Sequence, residues 1–570
     1  MESRLVDYGS STPNYGGVAR FAAVAKNLKT AGMADPGGGV KAGVLMVSSG
    51  DNYLPGPEFD ASLDKGAPYY DAMAMEMIGY DAISLGNHDF DFGTGILKSF
   101  IESFTDAPKP TFLSANLDFG ADTNLSGLVT SGRIAKRIVL DVNGEKVGLV
   151  GLTTKLLPEL SNMGAVTVNS DLVAAAQTEV DALEAAGINK IVLLSHLQAI
   201  VEDVALVPQL HGVDIVVAGG GHDLLANAST VLFPGDVLDP AKPYPMLVKD
   251  KTNVDTPIVT TNALYKYVGR LVATFDKDGK ITAIDTSSGP VRVTADPGDA
   301  DKVTPDAEVQ NYVVTPVSSH ISSLKANQIA TTEVPLHGVK NDVRTKETNL
   351  GDLVADGMLH EAEKAGTGTV PRVVIMNGGG IRNDSVIPVG PLTEYDTFSI
   401  LPFSNFVAVV HDVTPQILKQ ALELGVSKLP TAAGQFPQIS GMWITVNPAG
   451  TARVGDADGN ETTPGTRITE IGLYDWWTGT SGGVIYQNGQ FSQTAPAKID
   501  VVTINFMATG GDGYPLRKNP NTILPVPYQQ ALRDYLQAPA AQLGLNGTVP
   551  ASWYPETYTY ETARIWMTTP

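Results

Sequence analysis

The first half of the chain alternates two kinds of apolar pattern. Short runs rich in β-branched residues recur at K-A-G-V-L-M-V-S-S-G-D-N (41–52), D-A-I-S-L-G-N-H-D-F-D (81–91), K-I-V-L-L-S-H (190–196) and V-D-I-V-V-A-G-G-G-H (213–222), each bounded by glycine or serine. Continuous apolar runs of this kind predict buried strands of an α/β sheet. Between them apolar positions fall at helical spacing, as in Val18, Phe21, Val24, Ala25 and Leu28. The Ala-rich stretch 171–187 does the same, with Gly187 where a helix-capping glycine belongs. Around 285–308 turn formers and acidic residues take over, which predicts the end of a first domain. A helix over about 309–326 is expected next, and then a second mixed domain in which Thr414, Pro415 and Gly425 mark the start and stop of a helix. The division expected is 1–300, a linker and hinge helix over 301–327, and 328–570.

Composition narrows the partners. At 570 residues the chain is too long for one ordinary core, and 43% hydrophobic with 18% charged residues is globular. Asp and Glu number 61 against 39 Lys and Arg, a net charge of −22, which argues against a nucleic-acid polymer or an anionic membrane. An anionic small substrate stays open, because a local cation or metal overrides the global field. The absence of cysteine removes disulfides, thiolate ligands and a cysteine nucleophile. No apolar stretch approaches the roughly 20 residues that span a bilayer, and M-E-S-R-L-V-D-Y-G lacks the plan of a signal peptide.

Four apolar strands each end in a hard-metal ligand: Asp51, Asn87 beside His88, His196 and His222. If these strands are parallel neighbours in one open, doubly wound sheet, their ends converge on a single crevice beyond the carboxyl edge. Oxygen and imidazole together suit Zn, Mn, Fe or Co better than Ca or Mg alone. Any one of these histidines alone reads as an ordinary hydrogen-bonded imidazole; the set of four strand ends is what carries the metal reading. Adjacent residues on a turn diverge, so Asn87 is expected to bind metal while His88 faces substrate. Asp91, three residues on, is placed to orient His88 as a carboxylate orients a catalytic histidine. It also fits a helix N-cap before G-T-G-I-L-K-S-F.

G-D-N at 50–52, G-N-H-D-F-D at 86–91, S-A-N-L-D at 114–118, L-S-H at 194–196 and G-G-H at 220–222 together resemble the calcineurin-like metallophosphoesterases in order and spacing. More narrowly the chain resembles the 5′-nucleotidase / UDP-sugar hydrolase / 2′,3′-cyclic-nucleotide phosphodiesterase family. N-G-G-G-I-R at 377–382, L-P-F-S-N at 401–405 and F-M-A-T-G-G-D-G-Y at 506–514 resemble that family's nucleotide-binding motifs. The resemblance implies an α/β fold, α+β overall: a four-layer metallophosphoesterase domain followed by a mixed α/β substrate-binding domain. It implies two divalent ions (Zn, Mn or Co), with Asp51, Asn87, His196 and His222 as metal ligands and His88 with Asp91 as the catalytic pair. Arg344 and Arg382 would hold the phosphate, Asn377 and Asn405 nucleoside polar groups, and Asp512 the ribose hydroxyls. Phe403 and Phe506 would sandwich the base, although core packing is the commoner fate of a phenylalanine. Family members deliver the nucleotide by rotating the second domain, with the helix near 309–326 the expected hinge.

The chain also departs from the family pattern. The family's opening strand ends in Asp-x-His, which is absent here, and Leu224 stands where a His or Gln often follows the glycine-flanked histidine. The second metal set is therefore complete while the first keeps only Asp51, so one ion or two is expected. Two readings follow. Either the numbered start lies downstream of a lost strand and its aspartate, with Glu2 near the place of the missing histidine, or the first site is weakened. The first is preferred, because a doubly wound sheet would otherwise lack a strand; Asp223 is the candidate to compensate for Leu224. The expected activity is metal-dependent hydrolysis of a nucleoside 5′-monophosphate. Alternatives are a UDP-sugar or cyclic-nucleotide hydrolase, a nucleotide-binding protein with impaired catalysis, or a structural protein on an inherited fold. Family habit suggests export to the periplasm, cell wall or medium, and no oligomeric state is implied.

Overall fold

Two sheets lie face to face in the first part of the chain. One has four parallel strands in the order Val47–Ser48, Ala82–Ser84, Thr111–Leu113, Ile134–Ala135. The other has six, in the order Met246–Lys249, Asp255–Val259, Ile215–Gly219, Ile191–His196, Glu145–Thr153, Arg137–Val142, with its edge strands antiparallel. The inner faces share a core of Ala82, Leu113, Leu149, Val192 and Leu194. Outside the six-stranded sheet, helix Leu172–Ala185 packs Ala176, Val180 and Leu183 on Val150, Ile191 and Leu193. Outside the other sheet, helix Gly93–Glu102 sets Phe100 edge-on to Phe112 at 6.2 Å between centroids. The result is four layers, helix on sheet on sheet on helix.

The computed structural model describes residues 4–6, 14–34, 37, 39–366, 372–403, 405–455 and 461–568. The chain divides into two compact units, Met1–Ile321 and Ser322–Pro570, and the division falls inside helix Thr315–Ala326. That helix continues from Ala307–Val309 through a π-helical turn at Gln310–Val314, and Asp306 caps its start by accepting from the Glu308 and Val309 N–H groups. Other helices begin and end where the apolar spacing puts them. Val18–Gly32 buries Val18, Phe21, Val24 and Ala25, and Leu172–Ala185 is capped by Asp171 accepting from Ala174 N–H. Thr414 caps Pro415–Gly425 through the Ile417 N–H. No helix among the described residues is long and apolar enough to cross a membrane.

One expectation is corrected. The strands ending near Asp51 and Asn87 are not sheet neighbours of those ending near His196 and His222; each pair belongs to a different sheet. Each sheet is covered by helices on one face and by its partner sheet on the other, so its strands are apolar on both faces. That pattern is the same one a doubly wound sheet produces.

At one end the two sheets approach unusually closely. Sheets ordinarily pack about 10 Å apart, yet here the Ala115 N–H donates to the Gly151 carbonyl at 2.7 Å, main chain to main chain across the interface. Ser84 Oγ donates to Leu194 O at 3.2 Å and Ser49 Oγ to Val217 O at 2.7 Å. Asn116, from the S-A-N-L-D stretch, donates to Thr153 O and accepts from Thr153 N–H. Gly151 makes this possible: a Cβ there would stand 2.4 Å from the Leu113 carbonyl oxygen.

In the second unit a five-stranded mixed sheet runs Pro437–Ser440, Arg372–Asn377, Ile499–Ile504, Phe406–Val413, Asn521–Pro527. Helix Asn349–Ala365, buried from Asn349 to Ala362 and capped by Thr348, supplies much of the core against it. A second five-stranded sheet is built on Met442–Val446 and Ile468–Asp475.

Gly151→Ala is expected to force the sheets apart at this corner and to cost about 2–3 kcal/mol. A thermal unfolding scan should show a lower first transition; an unchanged scan would mean that the close approach is not required.

Candidate active site

Asp51 stands in a left-handed turn, φ 52°, after strand Val47–Ser48, and its side chain is buried. One carboxylate oxygen, Oδ1, accepts from the His88 N–H at 3.0 Å, and the other lies 3.1 Å from His196 Nε2. The Asn87 carboxamide oxygen is 3.2 Å from the same nitrogen. His196 Nδ1 donates to the Ser49 carbonyl at 2.6 Å, which fixes the ring with Nε2 toward Asp51 and Asn87. Gly50, with φ 97°, permits this: a Cβ on it would sit 2.6 Å from His196 Nδ1.

Burial works against charge on Asp51, but the imidazoles of His196 and His88 override it and hold the carboxyl well below the usual range. Burial likewise pushes the His196 imidazole down, and the Asp51 carboxylate outweighs it, so the net shift is upward. Both ring nitrogens of His196 face oxygen acceptors, so a proton on Nε2 satisfies the same oxygens that a cation would.

Asp89, fully buried, binds the two turns together. Its Oδ2 accepts from the Gly86 N–H at 2.8 Å and the Asp51 N–H at 3.2 Å, and its Oδ1 from the Asn52 N–H at 3.0 Å. The Asn52 side-chain amide adds a further donor at 3.0 Å. Burial pushes the Asp89 carboxyl up to about 6, with the Asp51 charge adding to the rise.

The His88 side chain is held by a second carboxylate. Its Nδ1 donates to Asp91 Oδ2 at 2.7 Å, and Asp91 Oδ1 accepts from Ser161 Oγ at 3.0 Å. The imidazole side chain is 32% exposed while the carboxylate is 1% exposed, so a buried carboxylate holds a partly exposed ring. Burial raises the Asp91 carboxyl against the pull of His88.

The structure thus gathers Asp51, Asn87, His88, Asp91 and His196. His222 is exposed, two residues beyond Gly220, whose main chain packs on Gln198 and the His196 ring. Asp223 is engaged elsewhere: it pairs with Lys242 at 2.6 Å and accepts from the Ile200 N–H at 3.3 Å. Glu2 lies outside the described residues. A separate trio, Asp181, Glu184 and His211, clusters within 4.8 Å, but both carboxylates are exposed and the contacts are surface ion pairs.

In the second unit the candidate residues share one sheet edge. Asn377 ends a strand parallel to Ile499–Ile504, after which comes Phe506; Phe403 and Asn405 precede the antiparallel strand Phe406–Val413. Asn377 Nδ2 donates to Asp512 at 2.8 Å, and Asp512 holds a left-handed φ of 56°. The Arg382 guanidinium lies 5.1 Å from the Phe403 ring centroid. Phe403 and Phe506 are 43% and 38% exposed, which sets them apart from core phenylalanines such as Phe406 and Phe436. The backbone under the exposed Phe403 ring is tethered, its N–H donating to Tyr528 Oη at 3.0 Å. Burial and the nearby Arg382 both push the Arg344 guanidinium down.

The chain is 30% identical over 499 residues to a 5′-nucleotidase of Diplobatis ommata, covering 84% of this chain and 75% of that protein. The chain belongs to the 5′-nucleotidase family. Residues 328–519 match the model of the 5′-nucleotidase C-terminal domain. A Bacillus subtilis relative, the trifunctional nucleotide phosphoesterase protein YfkN, is 29% identical over 78% of this chain, which spans only 28% of that longer protein. The crystal structure of a 5′-nucleotidase precursor from Thermus thermophilus matches with a TM-score of 0.62 and 29% identity, over 100% of this chain and 98% of that one.

Members of this 5′-nucleotidase type are generally dependent on divalent metal. The residues present fit such an ion: a carboxylate oxygen and a carboxamide oxygen lie 3.1 and 3.2 Å from an imidazole nitrogen whose tautomer is set by Ser49. Sequence reasoning missed Asp89, Asn52 and Ser161, which position the others without facing the crevice. Asp89 stands inside G-N-H-D-F-D, and its signal was an acid flanked by a strand end and a buried phenylalanine.

Asp89→Asn leaves one amide oxygen where four N–H groups converge, and is expected to cost about 2–3 kcal/mol. Melting temperature and bound metal should both fall; retention of both would show that Asp89 does not organise the turns.

Proposed function

We propose that the chain is a phosphoric ester hydrolase that releases phosphate from nucleoside 5′-monophosphates. The observation that carries this reading is the His88–Asp91 pair beside the Asp51, Asn87 and His196 group, in a chain whose second half belongs to the nucleotidase C-terminal domain. In the proposed division of labour, 1–300 holds metal and catalytic groups, 301–327 is the linker, and 328–570 binds the nucleoside. Asp51, Asn87 and His196, with His222, would hold divalent ions, one or two of Zn, Mn or Co. When bound, such ions neutralise phosphoryl charge and activate water for in-line displacement.

The chain's own groups supply the rest. A water oxygen adds to phosphorus and gives up one proton to solvent as the bond to the 5′ oxygen of the nucleoside breaks, and the leaving oxygen takes up a proton. His88, with Nδ1 held by Asp91, offers Nε2 as the source of that proton. Arg344 and Arg382 complement the phosphate charge, Phe403 and Phe506 offer faces for base stacking, and Asn377, Asn405 and Asp512 offer polar contacts for the nucleoside. Export from the cell accords with relatives that include snake venom 5′-nucleotidases.

The test is phosphate release from AMP with Mn, Zn or Co added to the metal-stripped chain. His88→Ala should lower kcat about 10²–10³-fold with bound metal unchanged. No release with any metal from the wild type, with AMP still bound, would replace hydrolysis by nucleotide binding. Phe403→Ala and Phe506→Ala should each raise KM for AMP about tenfold while kcat changes little, as loss of one stacking face predicts. Unchanged KM in both would remove the aromatic site from the reading.

A further inference from the structure

Gln198 follows the strand-end histidine by two residues and carries φ 72°, a left-handed backbone on a side chain that has none of the local hydrogen-bonding advantage of Asn or Asp there. The Ala199 N–H donates to Leu197 O at 3.0 Å, closing a three-residue γ-turn around Gln198 in its rarer, strained hand. Gly220 packs against the backbone of that turn: a Cβ on it would lie 2.5 Å from Gln198 N. The strained turn aims the side chain inward, where Gln198 Nε2 donates to Asn87 Oδ1 at 2.6 Å.

A carboxamide oxygen has two lone pairs. On Asn87 one accepts from Gln198, and the other side faces His196 Nε2 at 3.2 Å and the Asp51 carboxylate beyond it. Were the Asn87 amide turned over, its NH₂ would meet the Gln198 NH₂ and would present a donor where a cation is to bind. We propose that Gln198 is a positioning residue for Asn87, fixing its carboxamide with the oxygen toward the metal site. This rests on the reading that Asp51, Asn87 and His196 hold a divalent ion.

The experiment is Mn²⁺ titration by calorimetry into the metal-stripped full chain, with the metal-free melting temperature measured alongside. Wild type, Asn87→Ala, Gln198→Gly and Gln198→Met are compared. Gln198→Met keeps the side-chain length without the donor, and Gln198→Gly also relieves the left-handed backbone. Both are expected to bind Mn²⁺ about tenfold more weakly, while the metal-free Gln198→Gly chain melts at or above the wild-type temperature. Unweakened Mn²⁺ binding in both variants overturns the proposal. So does weakened binding accompanied by a lower metal-free melting temperature in Gln198→Gly, which would make the residue structural. If the wild type takes up no Mn²⁺, or Asn87→Ala binds it as well as wild type does, the metal reading itself fails and the role of Gln198 falls with it.

Discussion

The close approach of two sheets at one corner is the constraint on which the site depends. Asp51 and Asn87 follow strands of one sheet, and His196 ends a strand of the other. At ordinary sheet spacing these groups would face each other across a layer of apolar side chains. The main-chain bond from Ala115 to Gly151 and the hydroxyl bonds from Ser49 and Ser84 remove that layer locally. Away from the corner Leu149, Val192 and Leu194 restore the usual hydrophobic spacing. The sandwich is thus closed by hydrogen bonding at the site and by apolar burial elsewhere.

Within the corner, charge is arranged by burial as much as by contact. Asp51, Asp89 and Asp91 lie within a short stretch of space, all nearly inaccessible. They differ in what faces them. Asp51 is opposed by two imidazoles and is held strongly acidic; Asp89 meets main-chain and amide N–H groups that pull it down, but burial and the Asp51 charge raise it to about 6. Asp91 has one imidazole and one hydroxyl. Three aspartates gathered in one corner therefore serve as a ligand candidate, a brace and an orienting anion, a separation of roles set by environment.

Much of this was legible in the sequence. Strand ends, helix spans and caps such as Asp171 and Thr414 followed from apolar spacing and polar punctuation. The grouping of Asp51, Asn87 and His196 followed from three strands stopping at ligand residues. The assignment of those strands to two sheets did not, because a strand buried between a helix and a sheet shows the same residues whichever layer it occupies. Nor did Asp89 or Gln198, whose work is done on main-chain N–H groups and on another side chain's amide, contacts that leave no periodicity. Phe403 and Phe506 stood out by motif, and their exposure is a fact of tertiary structure that no local pattern carries.

The glycines around His196 have a consequence of their own. Gly50, Gly86, Gly219 and Gly220 each leave no room for a methyl group, the crowding atoms being main chain, the Ser49 Cβ, the Asp51 carboxylate or the His196 ring. The imidazole is thus held by a mould made of missing side chains. A complete map of tolerated substitutions would trace the outline of this mould as a ring of positions that reject even alanine, and so would draw the shape of the centre without any knowledge of its chemistry.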